Sequence, residues 1–254
     1  MNCAESTNII MHISFDFLLY IHTVLSMNTL LASLHKKRLV WSAKQAPLMQ
    51  PPSLATGFTE LDDALSGGWP ESGVVSINSL SGIGELRLLL PALALRNTQN
   101  KRLMIIITPP YPVNAEFLHE QGIDLTDVLI VNVNAHQSQL WCAEQCLKSG
   151  CCACVLMWPE KLQHHQVKRF QLAAQQGCSV LFTFHAQQHA TAGLPVSLAL
   201  SLEPASEGIK VNITKRIGSW PVPPFTLSYQ SRWPKLTQSA NATPDYHGFK
   251  EQLG

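Results

Sequence analysis

Five apolar stretches have the length and composition of buried strands. They lie at residues 74–77, 101–108, 128–133, 152–158 and 179–185. The segments between them carry the apolar spacing of helices, at residues 85–96, 114–121, 138–148 and 166–176. Strands that alternate with helices of this length predict an α/β fold with a mostly parallel central sheet and helices on both faces. Three later segments, at 197–204, 208–218 and 225–230, read as strands joined by turns and predict an antiparallel edge.

Local signals predict where two of the helices begin or bend. Thr59 can cap a short helix that runs through Leu65, and the pair Gly67-Gly68 ends it. In the helix expected at 85–96, Pro91 predicts a kink, because proline has no N–H for the helical ladder.

The two ends of the chain differ in composition from its centre. A proline-rich stretch at 46–54 reads as a linker, so we expect an N-terminal helix and linker at 27–51 and a main domain at 52–232. The polar stretch 233–254 predicts a flexible tail. Residues 1–26 hold an apolar run interrupted by His12, Asp16 and His22, which is too short and too polar for a membrane span.

The first 26 residues also lack the features of a signal peptide, because no basic segment precedes the apolar run and no small-residue cleavage site follows it. We therefore expect a mis-assigned leader, with Met27 as the true start. Residues 19–24 back-translate to CTGT and ACAG around an AT-rich spacer, which resembles the operator of LexA, the repressor of the bacterial SOS response. The nucleotide sequence of the gene tests this hypothesis.

Composition argues for a protein-binding role more than for nucleic-acid binding. The chain has 254 residues, of which 46% are hydrophobic and 14% charged, with a net charge of +1. A strongly basic nucleic-acid binder would show an excess of positive charge. Low charge combined with high apolar content suggests surfaces that partners cover.

Seven cysteines leave two interpretations open. Six lie between Cys142 and Cys178, and three of these, at positions 151, 152 and 154, sit in an apolar run. They could form a metal site, but the paired C-x-x-C spacing of zinc sites is missing. The sequence favours reduced thiols that serve as small core side chains, which is typical of a cytoplasmic protein.

A glycine-bearing turn after the first buried strand occupies the place of a phosphate-binding loop. A working loop has the pattern G-x-x-x-x-G-K-[ST], whose lysine neutralises the phosphates and whose hydroxyl holds magnesium. Gly82 and Gly84 remain, but Ser79 replaces the first glycine, and Glu85 and Leu86 stand where lysine and the hydroxyl belong. A carboxylate repels a phosphate, and leucine cannot bind magnesium.

The acidic residue that organises magnesium is also missing. The strand at 152–158 ends in Met157, Trp158 and Pro159, and the strand at 101–108 leads into two prolines. These replacements predict that the chain does not hydrolyse ATP, holds no cofactor or metal and is not an enzyme. Weak nucleotide binding at the helix N-terminus stays open.

Two groups of basic residues are candidates for contacts with DNA or an acidic partner. Lys168 and Arg169 lie on a helix near His164 and His165, and Lys215-Arg216 lies on a late strand. The alternative is a solvated face, which is the usual role of a charge run.

The stretches TGFTELDDALSGGWP and SGIGELRLLLPALA, at residues 56–70 and 81–94, resemble the ImuA family of RecA-like proteins, which is related to SulA. Residues 208–227 resemble the late strands of RecA. The resemblance covers about residues 52–230 and implies a RecA-like three-layer fold with a degenerate phosphate-binding loop.

The resemblance also implies a role in the SOS response to DNA damage. ImuA-type proteins support error-prone translesion DNA synthesis, with an ImuB-like polymerase homologue, RecA and an error-prone replicative polymerase as partners. SulA-type proteins instead block assembly of the division protein FtsZ. The stretch LDDALSGGWP favours the ImuA-type adaptor, with the FtsZ inhibitor as the alternative and a divergent ATPase as a third hypothesis.

Overall fold

An eight-stranded mixed sheet forms the centre of the molecule. The computed structural model describes residues 53–99, 101–186, 193–216 and 221–234, all within one compact unit of the chain. The predicted leader, the segment 27–51 and most of the predicted tail lie outside the described residues. The strands are β1 (Ser53–Leu54), β2 (Trp69–Pro70), β3 (Gly73–Asn78), β4 (Leu103–Ile107), β5 (Val128–Val131), β6 (Cys152–Met157), β7 (Val180–His185), β8 (Leu198–Ala205), β9 (Gly208–Arg216) and β10 (Phe225–Ser228).

The strand order in the sheet is β10-β9-β8-β3-β7-β6-β4-β5. Strands β3 to β8 pair in parallel, whereas β9 pairs antiparallel with both β8 and β10. The short strands β1 and β2 form a separate antiparallel ribbon. The prediction of an α/β fold with a mostly parallel sheet and an antiparallel edge is therefore confirmed.

Helices cover both faces of this sheet. They are α1 (Thr59–Ala64), α2 (Leu90–Gln99), α3 (Ala115–Glu120), a 3-10 turn (Leu125–Asp127), α4 (His136–Lys148) and α5 (His164–Gly177). Side chains from α1, α2 and α3 share one core with one face of the sheet, and α4 and α5 share a second core with the other face. Strands β6 and β7 are buried along their whole length, which explains why they read as continuous apolar runs.

The start of α1 differs from the prediction. Thr59 is the first residue of the helix and not its cap, since Phe58 takes the cap position without a side-chain bond. The buried Thr56 stabilises this turn, because its hydroxyl donates to the carbonyl of Phe58 and accepts from the Phe58 amide. The Asp62 carboxylate accepts the Thr56 amide at 2.7 Å.

The helix predicted at 85–96 also begins later than expected. Residues 85–89 form successive turns, and α2 begins at Leu90. Pro91 therefore lies in the first helical turn, where its missing N–H is not needed and no kink arises.

The core includes Trp233, the first residue of the predicted tail. Trp233 is 5% exposed, stacks edge-on against Tyr229 and donates its indole N–H to the Gln121 side chain at 3.0 Å. It is a core residue, because its ring fills the space beside the β3–α2 turn. Within the described ranges, none of the helices combines the length and the apolar character that a bilayer crossing requires.

Candidate functional site

The turn that follows β3 is held together by its own carboxylate. Both oxygens of Glu85 accept the amide of Gly82, at 3.0 and 3.1 Å, and Glu85 is only 6% exposed. The amide that points into this turn therefore already has an anionic acceptor within the chain. The turn also lacks a helix directly behind it, since α2 begins at Leu90, so the helix N-terminus expected to bind nucleotide weakly is not beside Gly84.

A tyrosine from the far end of the chain closes the turn from the other side. The Tyr229 hydroxyl donates to the carbonyl of Gly84 at 3.1 Å. Gly84 has φ +99°, and a Cβ there would lie 3.1 Å from the Tyr229 ring, so a side chain at this position would be strained. Burial raises the pKa of Tyr229, so the phenol keeps its proton and remains a donor.

The other two predicted residues of the loop belong to the protein interior. Ser79 is buried, and its amide donates to the carbonyl of His185 on β7 at 2.9 Å. Leu86 is half-buried and packs against the core under α2. The five predicted loop residues thus belong to one turn whose polar groups bond to the protein itself. They are Ser79, Gly82, Gly84, Glu85 and Leu86.

An apolar groove of about 270 Å³ opens beside this turn. It lies where the segments after β4 and β6 diverge, because β4 leads to α3 on one face of the sheet and β6 leads to α5 on the other. Such a reversal at the carboxyl ends of parallel strands is where open α/β sheets bind their ligands. Its apolar lining is Leu86, Leu90, Ile106, Pro109, Pro110, Tyr111, Pro112, Val113, Phe117, Leu118 and Trp158.

Trp158 forms the inner wall of the groove. Its ring stacks on Phe184 with centroids 4.7 Å apart and planes 15° apart. Its indole nitrogen is buried and has no hydrogen-bond partner among the described residues. A buried donor of this kind gains from a ligand that brings an acceptor, because an unpaired polar group carries a desolvation penalty.

Thr108 sets the path of the proline-rich outer wall. It has φ +44°, which is a strained conformation for a β-branched residue. Its hydroxyl donates to the Val133 carbonyl at 3.2 Å and accepts the Val133 amide at 3.1 Å. These bonds fix the turn after β4, and the following Tyr111 is left 64% exposed at the rim.

The basic residues predicted on the helix lie on α5, on the sheet face opposite α3. Arg169 forms an ion pair with Glu144 on α4. Lys168 is exposed beside Pro195 and Ser197, and no described residue forms a salt bridge with it. Only Lys168 of this pair therefore presents an uncompensated charge.

The two basic residues at the end of β9 contact different parts of the molecule. The Lys215 ammonium donates to the Leu194 carbonyl at 2.6 Å, whereas the Arg216 guanidinium donates to the Ala64 carbonyl of α1 at 2.8 Å. Neighbouring strand residues point to opposite faces, which explains this separation. Burial lowers the pKa of Arg216. Arg216 thus lies apart from the other basic candidates, whereas Lys168 and Lys215 both lie beside residues 194–197.

The cysteines lie partly in the core and partly at the surface. Cys152 and Cys154 are buried in β6, whereas Cys151 and Cys178 are exposed. Across the described ranges, no three His, Cys, Asp or Glu side chains are grouped as metal ligands.

Sequence reasoning missed the groove, although two of its signals were visible. Two expected carboxylates are missing from the sequence, and in their places are the segment Pro109-Pro110-Tyr111-Pro112 and the tryptophan after β6. Their convergence depends on β4 and β6 being neighbours, which the linear order of the strands does not reveal.

Comparison with known proteins gives one family match. Residues 74–180 match the family described as "Cell division inhibitor SulA". The crystal structure of SulA from Pseudomonas aeruginosa is 27% identical, with a TM-score of 0.38, and the match covers 44% of this chain and 97% of that chain. A search of the curated proteins found no match. The family match alone makes residues 74–180, from β3 to the start of β7, a SulA-related segment.

Proposed function

We propose that this chain is a SulA-type inhibitor of cell division that belongs to the SOS response and binds FtsZ in the cytoplasm. One observation carries this proposal: the SulA-related segment, residues 74–180, includes every residue that lines the apolar groove. The expectation that favoured an ImuA-type adaptor is not supported by the family match, which favours the alternative.

The chemistry of the site supports a binding role without catalysis. A bound phosphate would stand near the Glu85 carboxylate, a repulsion of about 1–4 kcal/mol at contact range. It would also compete with that carboxylate for the Gly82 amide. The groove offers instead aromatic and proline surface of the kind that dominates protein–protein contacts.

Assembly of FtsZ in vitro tests the proposal. Purified FtsZ is polymerised with GTP and followed by light scattering, with the full chain added at increasing molar ratios. We expect polymerisation to fall as the chain approaches equimolar amounts, and cells that overproduce the chain to filament. Normal polymerisation at a several-fold excess, together with normal division, would rule the proposal out.

A matched pair of variants tests the groove as the binding surface. Tyr111 at the groove rim is 64% exposed, and Leu172 on α5 is 67% exposed on the opposite face of the sheet. We expect Tyr111→Ala to weaken FtsZ binding by about 2 kcal/mol, roughly 30-fold in Kd. Truncating an aromatic side chain that anchors an interface typically costs this much binding free energy. Leu172→Ala is the control and should bind as the unchanged chain does. Equal affinity of the two variants would exclude this surface.

A specific feature favours a second candidate, the ImuA-type adaptor of translesion synthesis. Residues 53–73 precede the SulA-related segment, yet Leu61 and Trp69 within them are buried in the main core. This segment includes the LDDALSGGWP stretch that resembles ImuA. A pull-down with an ImuB-like polymerase homologue, RecA and the error-prone replicative polymerase tests this candidate, and binding to none of them would reject it.

A further inference from the structure

Thiols gather where α4 ends and β6 begins. Cys142 and Cys146 stand one helical turn apart on α4, and both are half-buried against the core on that side of the sheet. Cys152, the first residue of β6, is 3% exposed and belongs to the same core. The short connection between helix and strand therefore brings a helix thiol to a strand thiol.

Ser149 organises the connection between these thiols. Its hydroxyl donates to the Cys146 carbonyl at 2.8 Å, accepts the Cys151 amide at 3.1 Å and lies 3.8 Å from the Cys152 sulfur. Ser149 thus joins the Cys146 backbone to the Cys152 sulfur, and the side chains of Cys146 and Cys152 pack in the same core. The hydrogen bond from Cys146 lowers the pKa of Cys152 to about 6, helped by Ser149 and the charge of Arg102.

Arg102 supplies a fixed positive charge beside the thiols. Its guanidinium donates to the carbonyls of Gly177 and Cys178, at 2.5 and 2.8 Å, which holds it at the end of α5. Its Nε is buried and has no hydrogen-bond partner among the described residues. By contrast, burial raises the pKa of Cys154, two residues further along β6, to about 12. The pKa values of the two buried thiols of β6 are thus shifted in opposite directions.

We propose that Cys146 and Cys152 form an oxidation site, a dithiol that hydrogen peroxide converts to an intramolecular disulfide. The Cys152 thiolate attacks one peroxide oxygen, the O–O bond breaks, and hydroxide leaves and takes up a proton to give water. The resulting sulfenic acid is then attacked by the Cys146 sulfur, which loses its proton. The S–S bond forms, and the sulfenic oxygen departs as a second water. Two electrons pass from the two thiols to one peroxide.

Peptide mapping of the full chain tests this assignment. The reduced protein is treated with hydrogen peroxide, its remaining thiols are alkylated under denaturing conditions, and it is digested with trypsin. Cleavage separates residues 103–148, which hold Cys142 and Cys146, from residues 149–161, which hold Cys151, Cys152 and Cys154. We expect a disulfide-linked pair of these two peptides.

Serine variants identify the sulfurs. We expect loss of the linked pair in Cys146→Ser and Cys152→Ser, and its retention in Cys142→Ser, Cys151→Ser and Cys154→Ser. In Cys146→Ser, the Cys152 sulfenic acid should persist and be trapped by dimedone, a readout that a packing role would not produce. A linked pair that survives in Cys152→Ser, or dimedone labelling of Cys151 in preference to Cys152, would overturn the proposal. These readouts do not depend on FtsZ.

Discussion

The self-bonded turn after β3 makes a quantitative prediction for Glu85→Ala. The change removes a buried carboxylate that accepts the Gly82 amide with both oxygens. A hydrogen bond to a charged group contributes about 1.5–3 kcal/mol. Gly82 is exposed, so its freed amide can bond to water, which favours the lower part of that range. We therefore expect a loss of about 2 kcal/mol in the free energy of unfolding.

Thermal unfolding followed by circular dichroism measures this loss. For a domain of this size, about 2 kcal/mol corresponds to a fall in Tm of roughly 4–8 °C. Glu85→Gln keeps one acceptor oxygen, so its Tm should fall about half as far. Glu160→Ala is the control, because Glu160 is an exposed carboxylate on the loop after β6. If Glu85→Ala unfolds at the same temperature as Glu160→Ala, the carboxylate does not hold the turn.

Two further predictions concern residues that are remote in sequence from their contacts. Tyr229→Phe should cost about 1 kcal/mol at pH 7 through the lost bond to Gly84. The folded-state pKa of Tyr229 is raised, so the stability that its phenol contributes is complete below about pH 10 and is lost as the pH rises further. The Tm of Tyr229→Phe should therefore decline less steeply at alkaline pH than the Tm of the unchanged chain. Equal declines would contradict this. Gly177→Ala should cost about 3 kcal/mol, because its Cβ would lie 1.9 Å from the Leu147 carbonyl oxygen. Gly150→Ala, at φ +74° with open space around it, should cost about 1 kcal/mol in denaturant unfolding, and an equal loss for both would refute the clash.

The strands were predictable from sequence because burial on both faces leaves a simple signature. Strands β4, β6 and β7 lie within the apolar runs that predicted them, and each run is one to three residues longer than its strand. The closed turn before α2 was not predictable, because it is held by the Glu85 carboxylate and by Tyr229, which is 145 residues away from Gly84.

The site could be predicted only in part. The substitutions in the glycine turn are visible in the sequence, and they argue against nucleotide chemistry. The groove needs the strand order, since Ile106 and Trp158 meet only because β4 and β6 are neighbours. The ion pair of Arg169 was also not visible in the sequence, because its partner Glu144 lies on another helix.

The carboxylate of Glu85 has a consequence for any anion that reaches the turn after β3. Such a ligand would have to displace Glu85 from the Gly82 amide and would leave that buried carboxylate without its partner. A change in ATP concentration should therefore leave the conformation of this turn unaltered.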